Sequence, residues 1–136
     1  MKKITFILGI VLAALLLAGC GGGGGGQTQW DVTMNDFVFE PSTVTVPTGA
    51  QVTINLNNQG TQDHNFVIMQ LGKDVSGSWS DANKGDVFYE KDQLLSGQTT
   101  AITFTAPNEP GEYQILCSVP GHLEAGMMGK LVVTGK

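Results

Sequence analysis

Arginine is absent from this chain. All seven basic residues are lysine, set against twelve acids, and the net charge is −5 over 136 residues. Nucleic-acid binding relies on clustered Lys and Arg to neutralise phosphate, so this balance excludes it. Histidine and cysteine are nearly as scarce, with two of each. A dinuclear or trinuclear metal centre needs more imidazoles, or a second thiol in the same loop, so at most one small site can be built. Charged residues make up only 14% and hydrophobic residues 41%, which allows a packed core and argues against disorder. No internal repeat and no amphipathic helix of useful length is visible.

What is present begins with an address. Lys2 and Lys3 precede an apolar run, Ile4 to Ala18, of the length of a signal h-region. The run ends at Leu17-Ala18-Gly19-Cys20, which resembles a bacterial lipobox, where cleavage precedes the Cys and the thiol takes a diacylglycerol. Gly21 to Gly26 then form a flexible tether. An uncleaved membrane helix and a freely secreted protein are the alternatives. The run is short for a span, which needs roughly 20 residues. A phosphate-binding loop is rejected, because no strand precedes the glycines and no Gly-Lys-Ser/Thr follows. The division expected is residues 1–19 as leader, 20–29 as lipidated Cys and linker, and 30–136 as one domain. Loss of Lys2 and Lys3 with the leader would make the mature protein two charges more negative. Lipidation of Cys20 would leave Cys117 as a lone thiol in an oxidising compartment, where cysteines usually pair.

From Trp30 the pattern is short runs rich in Val, Ile, Thr and Phe, broken by Pro, Gly and Asn. Strands are expected at Asp31–Met34, Phe37–Phe39, Thr43–Val46, Gln51–Leu56, Asn65–Met69, Thr99–Thr105, Glu112–Leu116 and Lys130–Thr134. Gln51 to Leu56 alternates at period two, whereas Asn65 to Met69 is almost wholly apolar and should be central. Residues 72–92 look like an irregular crossover with one short helical turn and a solvated, charged face. Seven to eight strands at this spacing predict an all-β sandwich.

The chemistry concentrates in Cys117-Ser118-Val119-Pro120-Gly121-His122-Leu123-Glu124-Ala125-Gly126-Met127. A thiol, an imidazole and a thioether recur at equal spacing on a turn shaped by Pro120 and Gly121. Thiolate and thioether are soft ligands, and imidazole suits copper. The other histidine, His64, stands just before the central strand, where its ring would hang at the end of the sandwich. Two His, one Cys and a weak axial Met describe a blue-copper electron-transfer site. Each of these residues alone would more often be a packed or structural side chain; the joint spacing is what carries the metal reading.

These motifs resemble the cupredoxin family. The resemblance runs through Phe39 to Gly49, His64-Asn65-Phe66, the Cys117–Met127 loop and the Gly129–Thr134 strand. Within the family, the Cys-x4-His-x4-Met spacing, the lipobox and the Gly tether are most similar to the auracyanins. The resemblance implies a Greek-key β-sandwich holding one type 1 copper through His64, Cys117, His122 and Met127. It also implies that the Asn65 backbone N–H meets the Cys117 sulfur and that Ser118 ties the ligand loops together. The implied role is a membrane-tethered electron carrier between a quinol-oxidising complex and a reaction-centre cytochrome. Such a carrier would lie on the outer, periplasmic face of the cytoplasmic membrane, without a small-molecule substrate. The axial ligand is Met127 or its neighbour Met128, with the family spacing favouring Met127. Asp63 precedes His64, and its carbonyl is a candidate contact on the side opposite Met127.

Other readings compete. Zinc would take Cys and two His but gains little from Met. A Cys–His nucleophile pair has no orienting partner in the sequence. Four ligands leave no open position for substrate, which argues for a carrier and against an enzyme. A periplasmic copper-binding or delivery protein is the alternative, and an adhesion sandwich with incidental ligands is a third. For a carrier, His122 with Leu123 beside it is the expected electron-exit surface, apolar and small as brief redox encounters require.

Overall fold

The computed structural model describes residues 25–135. The expected leader, 1–19, and the lipidation residue Cys20 lie outside them. Among the described residues nine strands form: β1 (Gln29–Asn35), β2 (Val38–Glu40), β3 (Thr43–Pro47), β4 (Gln51–Asn58), β5 (His64–Met69), β6 (Val87–Leu94), β7 (Thr99–Thr105), β8 (Gly111–Leu116) and β9 (Met128–Thr134). A 3-10 turn, Asp81–Asp86, precedes β6. The expected all-β sandwich is what the chain adopts. One sheet runs β2-β1-β4-β7 and the other β3-β9-β8-β5-β6. β1 pairs parallel to β4, and β3 parallel to β9; the other ladders are antiparallel.

The alternation read in β4 has its physical counterpart. Val52, Ile54 and Leu56 are buried between the sheets, and Gln51 and Asn55 face water. They meet Phe39, Phe66, Ile68, Ile102, Ile115 and Leu131 in one continuous core. Phe39 and Phe66 pack edge to face, with centroids 5.5 Å apart, an arrangement aromatic quadrupoles favour.

β5 is apolar on both faces because it is covered on both. Phe66 and Ile68 point into the main core. Val67 and Met69 point the other way, into a second cluster with Val75, Leu116 and Leu123, against which Trp79 and Val87 pack. The segment around Val75 and Trp79 therefore acts as a cover over the outer face of the five-stranded sheet.

One expectation is corrected. The stretch taken as an irregular crossover through residue 92 contains a ninth strand, β6. It is an edge strand, bonded only to β5. It carries Glu90, Lys91 and Asp92, and charge of this kind blunts an exposed edge against further pairing. Those charges hid its period-two pattern. The helical turn expected in the same stretch is present.

The domain also begins slightly before Trp30. Gln29 opens β1, the Thr53 N–H donates to the Thr28 carbonyl, and Gly26 lies against the Pro47 ring.

Ile54 is fully buried at the centre of β4. Ile54→Ala should cost about 2–5 kcal/mol. Urea denaturation should give a lower midpoint at an unchanged slope, and an unshifted midpoint would contradict this packing.

Candidate metal centre

Strand pairing brings the ligand types together. Val67 and Ile68 of β5 face Leu116 and Ile115 of β8. His64 opens β5 and Cys117 follows β8, so both come to the same end of the sandwich. His64 Nδ1 lies 3.0 Å from His122 Nδ1. Cys117 Sγ lies 3.4 Å from His122 Nδ1 and 4.0 Å from His64 Nδ1. All three residues are buried.

The Cys117–Met127 loop is closed by its own backbone. Cys117 N–H donates to the Met127 carbonyl, Met127 N–H to His122, Ala125 N–H to Gly121 and His122 N–H to Val119, at 2.9–3.1 Å. Gly121 and Gly126 take φ of +85° and +99°, which side-chain-bearing residues rarely adopt. Asn65 and Ser118 then clasp the two ligand segments. Asn65 Nδ2 donates to Ser118 Oγ at 2.6 Å, and Ser118 N–H donates to Asn65 Oδ1 at 2.7 Å.

Met127 is fully buried, in the same cluster as Cys117. Met128, the first residue of β9, is 45% exposed. The strand's alternation thus turns Met127 inward and its neighbour outward. The Asp63 carboxylate accepts from Gln93 Nε2 at 2.7 Å and from Ser96 N–H at 3.1 Å, tying its loop to β6 and the β6–β7 connection.

The exit surface named from the sequence needs correcting. Leu123 is only 2% exposed and belongs to the second cluster, beneath the cover segment. Its neighbours on the outer face of β5 draw it inward. His122 itself is 3% exposed. Phe37 stands edge-on to its ring, centroids 5.2 Å apart at 88°. Gln62 Oε1 lies 3.1 Å from His122 Nε2. The outer side of His122 is therefore clad by Phe37 and Gln62, neither of which the sequence singled out. Asp36 was missed as well; its Oδ1 lies 3.6 Å from His64 Nε2. These residues stand in turns far from the Cys117 loop in sequence, and no spacing pattern links them to it.

Burial sets the electrostatics. It pushes the Cys117 thiol up, while backbone N–H groups of Asn65 and Val119 pull the other way by favouring the thiolate. Burial, and then the neighbouring His122, hold the His64 imidazole below its ordinary range; Asp36 opposes them. Both effects favour neutral groups in the metal-free state. Hydrogen bonding alone serves this trio poorly. Two facing Nδ1 atoms pair only if one is protonated, and sulfur is a weak partner. A cation that takes thiolate and imidazole together uses all three, and copper is well matched to that donor set. Among the described residues these three are the cluster of His, Cys or carboxylate side chains whose donor atoms lie within 4.8 Å of one another.

Residues 26–134 match the family described as copper binding proteins, plastocyanin/azurin family. The chain belongs to that family. Auracyanin-A of Chloroflexus aurantiacus is 32% identical over 112 residues, covering 72% of this chain and 68% of that protein. The copper-resistant cuproprotein CopI of Rubrivivax gelatinosus is 29% identical over 119 residues, covering 83% of this chain and 70% of that one. The crystal structure of reduced auracyanin from the photosynthetic bacterium Roseiflexus castenholzii superposes with a TM-score of 0.69 at 29% identity, covering 81% of this chain and 99% of that one. This cupredoxin, similar to the auracyanins, is thus a blue copper electron carrier with one type 1 copper, and not an enzyme.

Asn65→Ala would open the half-buried clasp and leave Ser118 N–H without its acceptor. It should destabilise the fold by about 1–3 kcal/mol, read by thermal melting of the metal-free protein. The lowered His64 gives a pH prediction. Its stabilising effect is present above the unfolded-state value and is lost as pH falls through the folded one, because the unfolded chain then binds more protons. Metal-free protein should therefore lose melting temperature on acidification from neutral pH, more steeply than His64→Gln protein; equal slopes would contradict the burial argument.

Proposed function

We propose that His64 Nδ1, His122 Nδ1 and Cys117 Sγ would hold the copper, with the Met127 thioether as a weaker fourth donor. The observation that carries this is the convergence of two imidazole nitrogens and one thiol at a single buried point. The buried position of Met127 against the exposed one of Met128 supports Met127 as that donor. When bound, copper supplies a one-electron Cu(II)/Cu(I) couple. The chain's part is to fix the ligands. The loop's backbone bonds, the Asn65–Ser118 clasp and the core around Met127 resist movement, so ligand positions change little when charge does. Amides of Asn65 and Val119 favour the thiolate, and water is kept out.

We further propose that the carrier is exported and anchored through lipidated Cys20 on the outer, periplasmic face of the cytoplasmic membrane. There it would shuttle electrons between a membrane quinol-oxidising complex and a cytochrome, in a photosynthetic or respiratory chain. The lipobox resemblance, the polyglycine that follows it and the similarity to auracyanins support this reading. Electrons would leave through His122 by way of its cladding, Phe37 and Gln62. A polyglycine tether reaches roughly 5–6 Å × √n, enough to let a head sample neighbouring complexes.

The similarity to CopI favours a second reading, a periplasmic copper-binding or delivery protein. Three fully enclosed ligand residues suit retention better than hand-over. Protein loaded with Cu(II) should be intensely blue or green and should cycle reversibly at an electrode with its copper retained. Cys117→Ser should abolish the strong visible absorption. A colourless loaded protein would overturn the ligand set, and copper lost on each reduction would favour delivery. Globomycin, which blocks lipoprotein leader cleavage, should leave a longer precursor in a bacterial host, and a processed form under that treatment would overturn the anchor.

A further inference from the structure

The two imidazoles face each other through Nδ1, so the ring hydrogens belong on Nε2 when a metal is held. Histidine ligands ordinarily give that second N–H to a carboxylate or carbonyl, which fixes the ring. His122 Nε2 has Gln62 Oε1 at 3.1 Å. His64 Nε2 is fully buried and has no hydrogen-bond partner. The carboxylate nearest it is Asp36, with Oδ1 at 3.6 Å.

Asp36 lies in the turn between β1 and β2 and does more than face His64. Its Oδ1 accepts from Thr61 N–H at 2.9 Å and Gln62 N–H at 3.3 Å, and its Oδ2 accepts from Thr61 Oγ1 at 2.7 Å. One carboxylate therefore confronts one imidazole and anchors the backbone of the residue that meets the other. Gly60 keeps this arrangement possible. A Cβ there would stand 2.5 Å from Asp36 Oδ1 and 2.8 Å from His64 Nε2.

We propose that Asp36 is a positioning residue for the metal centre, orienting His64 directly and His122 through Gln62, and that its charge favours Cu(II) over Cu(I). The inference rests on His64 and His122 being the ligands. A full negative charge beside one ligand ring stabilises the more positive oxidation state. The ring N–H of His64, otherwise without a partner, is drawn toward Asp36 when the metal polarises it. Gly60 is the spacer that lets the two approach.

The test compares copper-loaded wild-type protein with Asp36→Asn and Gly60→Ala. Asp36→Asn keeps an oxygen for the Thr61 and Gln62 amides and removes the charge. Gly60→Ala keeps the charge and forces the carboxylate and the ring apart. Each should shift the Cu(II)-to-Cu(I) preference toward Cu(I) by about threefold to tenfold, tenfold being 59 mV for a one-electron couple. In the reduced protein, hydrogen exchange at His64 Nε2, followed by NMR, should speed up. Gln62→Ala, at an exposed position, should speed exchange at His122 Nε2 in the same way. Glu90→Gln, which removes a charge from the edge strand, should shift the preference less than twofold. Wild-type potentials and wild-type ring exchange in the variants that fold would overturn the proposal. If wild-type protein itself fails to give the intense thiolate-to-copper colour, the ligand assignment falls, and the proposal falls with it.

Discussion

The pairing of β5 against β8 is the constraint on which the centre depends. Val67 faces Leu116 and Ile68 faces Ile115, and the same register continued past the ladder sets Asn65 opposite Ser118. There the side-chain clasp takes over from the sheet. Residues 53 positions apart in sequence are thereby held at hydrogen-bond distance, and His64 Nδ1 and Cys117 Sγ come within 4.0 Å of each other. A slip of one residue would turn Phe66 and Ile68 out of the core, so core packing and metal geometry enforce each other.

The centre differs from a surface chelate in what surrounds it. The ligand atoms are enclosed, the thiol is pushed toward its neutral form and one imidazole is kept neutral. Removing the metal leaves groups that satisfy one another poorly. Part of the stability of the loaded protein would therefore reside in metal–ligand bonds, and because those bonds need a thiolate and two neutral imidazoles, acid should weaken the loaded state by protonating its ligands.

Much of this was legible in the sequence, for identifiable reasons. Cys117, His122 and Met127 lie on one short loop, where spacing along the chain maps directly onto space. His64 followed by scarcity, being the other histidine of two. Eight strands announced themselves by alternation or by apolar runs. β6 did not, because an edge strand protected by Glu90, Lys91 and Asp92 looks like a solvated loop. Leu123 seemed a surface residue because it borders His122, and sequence adjacency cannot show that the cover segment draws it under. Asp36, Phe37, Gly60 and Gln62 were missed because their roles exist only once two distant turns meet. Phe37 is an extreme case, a bulky residue at φ +66° whose place over His122 no pattern predicts.

The parallel pairings have a directional consequence. β4 ends near the metal centre, and β1 runs alongside it in the same sense. The chain therefore enters at the opposite pole, where Gly26 rests on Pro47. Seven residues of β1 at about 3.3 Å each separate the two poles by roughly 20 Å. Anything joined ahead of Gly25 pulls on the pole remote from the redox centre. The chain's point of entry and its ligand end thus occupy opposite poles of the sandwich, as the foot and the flame of a lamp do.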